Sequence, residues 1–235
     1  MIDLHCHILP RMDDGPSKME ESAKMAEMAY RDGITVIAAT PHVKDHFYRA
    51  GLIQEKVDEL NKILTQRSLP LKVLKGADVS VLLPPSRMKE YTINATNYIL
   101  LEFPHTHVPQ NAGELLFNAV LQGLQPIITH PERNPSIVKN PHMLNELIGV
   151  NSLVQITAGS LTGYFGPEVQ ECAVYLLKHD MVHIIATDAH STSGRIPVLS
   201  LGVKAAEKIV GRDRALQMVE ANPEAVIAGR PVNAL

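Results

Sequence analysis

Along this chain, short and almost wholly apolar runs alternate with longer stretches in which apolar residues recur every three or four positions. The first run, Ile2 to Leu4, reads as a strand. His5 and His7 follow on extended backbone, where side chains two apart share a face, and Asp14 comes after a turn. Met19, Ala23, Ala26 and Tyr30 then fall at helical spacing, with a Ser17-x-x-Glu20 capping box in front and Gly33 as the stop. Ile34 to Thr40 is β-rich and ends at Pro41-His42. A helix over Leu52 to Gln66 puts Ile53, Val57, Leu60 and Leu64 on one face and leads into a strand, Leu71 to Ala77, that ends at Asp78. Tyr98 to Leu101 runs into Glu102, and a helix near Glu114 to Gln122 precedes Pro126 to Thr129, which runs into His130. A helix near Pro141 to Ile148 precedes the strand Leu153 to Ile156. Another, carrying Val169, Ala173 and Leu176, precedes Val182 to Thr187 and then Asp188-Ala189-His190. Two closing helices carry Leu199, Val203, Ala206 and Val210 on one face, before Asn222-Pro223 begins a last turn.

The pattern predicts seven strands alternating with amphipathic helices, with no linker, low-complexity tract or charge block to divide residues 1–235 into two domains. Strands apolar on both sides indicate a parallel sheet covered by helices. An open doubly wound sheet fits that alternation as well. A barrel is favoured because six of the seven strands end in a His, Asp or Glu, on the side where barrel enzymes build their active sites.

Composition narrows the class. With 235 residues, 45% hydrophobic and 20% charged, the chain matches a globular domain that buries a sizeable core. A formal net charge of -3 gives no basic footprint for nucleic acid. Nothing resembles a signal peptide or a membrane-inserting span, and Cys6 and Cys172 are too few and too far apart for a disulfide framework, so a cytoplasmic protein is expected.

The strand-end residues are His5, His7, Asp14, His42, Asp78, Glu102, His130, Asp188 and His190, five imidazoles and four carboxylates with no thiolate. Such a set of nitrogen and oxygen donors suits Mn, Fe or Zn in a catalytic site and exceeds what one ion can use. A cluster of two or three ions is the economical reading, and clusters of this kind hydrolyse phosphate esters by activating a water and clamping the leaving oxygen. Singly, each residue has a plainer role: Asp78 as a helix cap, Glu102 as a solvated loop residue, His42 as a turn residue. Jointly those roles fit poorly, because unpaired carboxylates at buried strand ends cost several kcal/mol each. Arg133 and Arg195, just beyond His130 and His190, have the planar fork suited to phosphate oxygens; their alternative is a surface salt bridge. His183 reads as a packed core histidine, His46, His105 and His107 as loop residues able to rim the site, His142 and His179 as surface residues, and Cys172 as core. A thiol phosphatase is disfavoured, since the spacing from Cys6 to Arg11 is one residue short of the familiar cysteine loop and no Arg follows Cys172 closely.

His5-Cys6-His7, Asp13-Asp14-Gly15-Pro16, Pro41-His42, Gly76-Ala77-Asp78, Leu101-Glu102-Phe103, Thr129-His130-Pro131-Glu132-Arg133 and Thr187-Asp188-Ala189-His190 together resemble the polymerase and histidinol phosphatase (PHP) superfamily. Within it, the order and spacing are most similar to bacterial metal-dependent protein-tyrosine phosphatases encoded with capsule and exopolysaccharide genes. The resemblance implies a distorted (β/α)7 barrel and a trinuclear site with Mn2+ as the usual ion. One metal would take His5, His7, Asp78 and Asp188, a second Asp78, Glu102 and His130, and a third Asp14, His42 and His190, while Arg133 and Arg195 match the phosphate-binding arginines. It also implies a substrate: phosphotyrosine on the Tyr-rich tail of a bacterial tyrosine kinase. A small-molecule phosphatase acting on histidinol phosphate and a non-catalytic metal-dependent binding module are the other readings. The family generally has Glu where this chain has Asp78, so the arm that would bridge two metals is one methylene shorter.

Overall fold

The structure is a computed structural model and describes residues 1–44 and 50–232; His46 lies outside them. The elements run β1 (Ile2–Cys6), α1 (Met19–Arg31), β2 (Val36–Ala39), β3 (His42–Val43), α2 (Ala50–Gln66), β4 (Lys72–Lys75), β5 (Asp78–Ser80), α3 (Pro85–Met88), β6 (Tyr98–Glu102), α4 (Ala112–Leu121) and β7 (Gln125–Thr129). There follow α5 (Pro135–Lys139), α6 (Met143–Gly149), β8 (Leu153–Thr157), α7 (Ala158–Leu161), α8 (Pro167–Lys178), β9 (Ile184–Ala186), α9 (Ser200–Val210), α10 (Arg212–Gln217) and α11 (Ala221–Ile227). Every ladder is parallel, in the orders β1-β2-β4 and β3-β5-β6-β7-β8-β9. Helices fill the crossovers, as a parallel sheet requires.

Two of the seven expected strands are each followed, past their expected ends, by a second short strand. Thr40-Pro41 separates β2 from β3, and Gly76-Ala77 separates β4 from β5. Pro41 has no N–H to continue a ladder, so the chain bends there. The pairing nevertheless carries on across the bend, with Gly76 N donating to Ala39 O at 3.0 Å and Asp78 N to Pro41 O at 3.1 Å. Gly76 permits this close approach, because a Cβ there would lie 3.1 Å from Thr40 Cγ2. The bend brings His42 opposite Asp78 in the β3–β5 register, and both belong to the strand-end set. At the other edge, Asp188 N donates to His5 O and His7 N to Ala189 O, each at 2.8 Å, so the segment after β9 runs alongside β1.

The alternation of side chains divides the strand residues between two apolar clusters. The larger lies between strands and helices and includes Ile37, Val73, Ile99, Leu101, Ile128, Val154 and Ile185. The smaller gathers Leu4, Ala38, Leu100, Ile127 and Ile184, with Ile93, Tyr98 and Val226. Two residues further along the same faces stand Glu102 after Leu100 and Thr129 after Ile127, so this small cluster is the floor on which the polar strand ends rest.

Three local expectations need correction. α1 starts without a side-chain cap on Lys18; Glu21, not Glu20, reaches back to Ser17 N at 3.2 Å, while Glu20 pairs with Arg67. α5 lies in a stretch for which no element was expected, started by Asn134, whose side-chain oxygen accepts from Ser136 N. Three helices close the described chain where two were expected.

Candidate metal centre

Backbone geometry aims the strand ends at one place. His5 and His7 leave β1 with their Nε2 atoms 3.1 Å apart. Each ring is held from behind: the His5 Nδ1–H donates to Gln155 Oε1 at 2.8 Å, the His7 Nδ1–H to Asp13 Oδ2 at 2.6 Å, and the His190 Nδ1–H to the Asp188 carbonyl at 2.9 Å. A proton on Nδ1 puts the lone pair on Nε2, the atom a ligand bond would use; in His190 that atom accepts from Arg195 Nη1 at 3.2 Å. Asp13 also accepts from His42 N and Gly15 N, both at 3.0 Å, so one buried carboxylate shapes the turn. Gly15 fits there because a Cβ would fall 2.3 Å from the His7 carbonyl oxygen.

His130 and Asp188 both sit in left-handed backbone, with φ of 35° and 52°. That conformation costs a non-glycine residue on the order of 1 kcal/mol. Hydrogen bonds hold it: His130 N donates to Gln155 O, and Asp188 N to His5 O, each at 2.8 Å. The buried Glu132 anchors the turn after His130, its Oε1 accepting from Thr157 N at 2.8 Å and Ser160 Oγ at 2.7 Å. Burial pushes that carboxyl up from its ordinary value.

All nine strand-end residues lie in four overlapping groups of donor atoms, each within 4.8 Å: His7, Asp14, His42 and His190; His5, His130 and Asp188; His5, His7 and Asp78; His42, Asp78 and Glu102. Asp78 is fully buried and caps no helix, and Glu102 is only 3% exposed. Asp78 Oδ2 lies 3.2 Å from His42 Nδ1, 3.8 Å from His5 Nε2 and 3.9 Å from His130 Nε2, while its Oδ1 accepts from Thr129 Oγ1 at 3.1 Å. Among the described residues, four of these buried atoms, His42 Nδ1, Asp78 Oδ2, Glu102 Oε1 and His130 Nε2, find no hydrogen-bond partner. Buried polar atoms left so are costly and rare. Orphaned lone pairs converging from imidazoles and carboxylates fit a divalent transition ion.

The protonation pattern has the same origin. Burial raises Glu102, and the nearby Asp78 charge raises it further; Asp78 is held low against its own burial by His5 and His42. Burial pushes His5 down to about 4. Burial would lower His7 as well, but its bonds to Asp13 and Asp188 outweigh that and push it up to about 10. Asp14, at the exposed edge with Oδ1 3.2 Å from His190 Nε2, is held low by that contact.

Both arginines reach the cluster. Arg133 Nη1 and Arg195 Nη2 donate to Asp188 Oδ2, and their guanidinium carbons lie 4.8 and 5.9 Å from the centre of the Phe165 ring. Arg195 Nε is buried with no acceptor. Both arginines are thus ion-paired, with a buried carboxylate of the cluster as the shared partner. His105 rims the site, its Nε2 3.6 Å from Glu102 Oε1 and 3.2 Å from Lys44 Nζ, which itself reaches Glu102 Oε2 at 3.2 Å. His107 is exposed and bonds Thr106; His142 and His179 are exposed and flank Tyr175. Cys6 is buried with its thiol pushed well up by burial, and Cys172 is pushed up to about 12, so neither is a ready nucleophile.

Sequence reasoning missed Asp13, Gln155, Glu132 and Phe165. Gln155 had a signal, being a polar residue inside an apolar strand; Asp13 had one in the doubled Asp13-Asp14. Phe165 had none.

Parallel strands whose carboxyl ends bring imidazoles and carboxylates together define an α/β protein with a cluster of candidate metal ligands. The chain belongs to the family described as capsular polysaccharide synthesis, CpsB/CapC, whose model matches residues 1–228. It is 40% identical over 201 residues to the tyrosine-protein phosphatase YwqE of Bacillus subtilis (strain 168), covering 83% of this chain and 79% of that protein. It is 29% identical over 242 residues to the tyrosine-protein phosphatase CpsB of Streptococcus pneumoniae, covering 97% and 98%. A crystal structure from work on YwqE and CpsB, described there as unique metal-dependent tyrosine phosphatases, superposes with a TM-score of 0.94 at 36% identity, over 100% of this chain and 97% of that one. Dihydropyrimidinase from Brevibacillus agri shares the fold alone, with a TM-score of 0.60 at 12% identity over 99% of this chain and 72% of that one.

Proposed function

We propose that this protein is a metal-dependent phosphoesterase that hydrolyses phosphotyrosine on protein, with a bacterial tyrosine kinase that controls capsule or exopolysaccharide synthesis as its substrate. His5, His7, Asp14, His42, Asp78, Glu102, His130, Asp188 and His190 hold two or three ions, with Mn2+ preferred and Fe or Zn as substitutes. Residues 1–235 act as one domain, a distorted (β/α)7 barrel in which the polar strand ends face a common centre. A cytoplasmic setting agrees with two free, buried cysteines, and among the described residues no helix is long and apolar enough to cross a membrane.

The observation that carries the reading is the set of buried, unpartnered atoms on His42, Asp78, Glu102 and His130 facing one another beside two arginines. Bound divalent ions supply a lowered water pKa and positive charge for the leaving oxygen. The chain's own part is to place the phosphate. Arg133 and Arg195 keep N–H groups beyond those spent on Asp188 and, for Arg195 Nη1, on His190 Nε2, and Phe165 backs both guanidiniums. Orientation of the phosphoryl group beside the ions supplies much of the rate in reactions of this kind. The names of YwqE and CpsB support phosphotyrosine as the substrate class.

The test is turnover of the Mn-loaded protein on a phosphotyrosine peptide beside histidinol phosphate, with and without excess chelator. Faster hydrolysis of the peptide, abolished by chelator, is expected. Preference for histidinol phosphate would make it a small-molecule phosphatase, and turnover of neither would leave a binding module.

A further inference from the structure

β8 is the one strand of the expected seven that ends without a His, Asp or Glu, yet it carries a fully buried amide, Gln155, in the middle of Leu153–Thr157. Burying an amide is unfavourable unless its hydrogen bonds are made, and Gln155 Nε2 makes none. Its two oxygens both serve strand-end histidines. Oε1 accepts from His5 Nδ1 at 2.8 Å, and the main-chain oxygen accepts from His130 N at 2.8 Å, pinning the residue with φ of 35°.

We infer that Gln155 is a positioning residue that fixes His5 as the Nδ1–H tautomer, so that the Nε2 lone pair faces the ion; the inference rests on the metal-site reading above. The amide oxygen can only accept, and it therefore demands a proton on Nδ1. Turned the other way, the amide NH2 would donate to Nδ1 and drive the proton onto Nε2, which lies 3.1 Å from His7 Nε2 and 3.4 Å from Asp188 Oδ1. That tautomer cannot ligate. His7 and His190 receive the same service from Asp13 and from the Asp188 carbonyl. Only for His5 is a neutral side chain used, which adds no further charge where Asp3, Asp78 and Asp188 are already buried.

Three variants separate this role from simple packing. Gln155→Leu keeps bulk and the main-chain bond to His130 but removes the acceptor, Gln155→Asn draws the acceptor back by one methylene, and Gln155→Glu restores it. In the metal-free proteins, the side-chain 15N resonances of His5 report the tautomer. Wild type and Gln155→Glu should show Nδ1–H, and Gln155→Leu and Gln155→Asn a shift toward Nε2–H. Competition with a chelating dye should show Mn2+ affinity falling by about 10- to 100-fold in Gln155→Leu and recovering in Gln155→Glu. A packing role would lower the melting temperature of the metal-free protein and leave the His5 resonances unchanged. The inference is overturned if Gln155→Leu, or Gln155→Asn should the former not fold, keeps the wild-type His5 spectrum. Failure of wild type to bind Mn2+ would instead remove the metal-site reading, and the metal-free spectra would still decide what Gln155 does to His5.

Discussion

His183 and His130 are both 6% exposed imidazoles in the same six-stranded sheet, at opposite ends of its strands. His183 precedes β9, and its Nδ1 accepts a hydrogen bond from Val154 N at 3.2 Å. His130 follows β7, and its Nε2 has no partner, with Glu102 Oε1 at 3.7 Å and Asp78 Oδ2 at 3.9 Å. Burial and residue type are the same; what differs is whether the polar atoms are satisfied. A folded chain tolerates buried polar groups in either place, but only unsatisfied ones that converge across several strands imply a missing partner. By that criterion the carboxyl ends of the strands carry the candidate ligand site, and His183 at the amino ends is a packed structural residue.

The strongest way to break this contrast is at Asp78, which touches three of the histidines. Asp78→Ala should lose bound metal and lower kcat/KM by about 100-fold or more, since a cluster of like-charged ions needs the carboxylate to offset its repulsion. Asp78→Glu, which keeps the carboxylate on a longer arm, should keep both. Metal stoichiometry and turnover at matched Mn2+ measure this, and full loading of Asp78→Ala would make Asp78 a structural residue like His183.

A smaller effect is expected at Arg133. Arg133→Ala should cut turnover by about tenfold at unchanged metal content, because a charge-assisted contact to phosphate contributes ~1.5 to 3 kcal/mol. An unchanged rate would remove Arg133 from phosphate binding.

His183 should matter least to activity and should act on stability. Burial, then the nearby charge of Arg214, pushes its pKa down to about 4 from an ordinary 6.5. The folded state therefore holds it neutral while the unfolded chain takes up a proton. Its stabilising contribution is complete above pH 6.5 and is lost as pH falls from 6.5 through 4, by up to about 3 kcal/mol. His183→Gln should flatten that part of the stability profile and leave neutral-pH turnover unchanged, as melts from pH 4 to 7 in chelator and a parallel assay would report. A profile no flatter than wild type would mean that His183 is not held neutral.

The same contrast explains what could be seen in the sequence. The alternation of apolar runs and helical faces marked β1, β2, β4, β6, β7, β8 and β9, because burial on both faces leaves an unbroken apolar signature, and the strand-end histidines and acids stood out against it. The short β3 and β5, beyond Thr40-Pro41 and Gly76-Ala77, did not, since two or three residues that open on His42 or Asp78 show no periodicity. Asp13, Gln155 and Phe165 act through other side chains, and partners such as Gln155 for His5 lie 150 positions away. The pairing is a fact of the fold. The cap at Ser17 was misread by one residue, a slip within the usual fraying of helix starts.

Anomalous diffraction at the manganese edge, from crystals of the Mn-loaded protein, tests the central claim most directly. Two or three peaks should appear within about 2.0–2.4 Å of ligand atoms from the nine strand-end residues, among them the unpartnered atoms of Asp78, Glu102 and His130. No peak at that centre, in protein that still hydrolyses phosphotyrosine, would contradict the account.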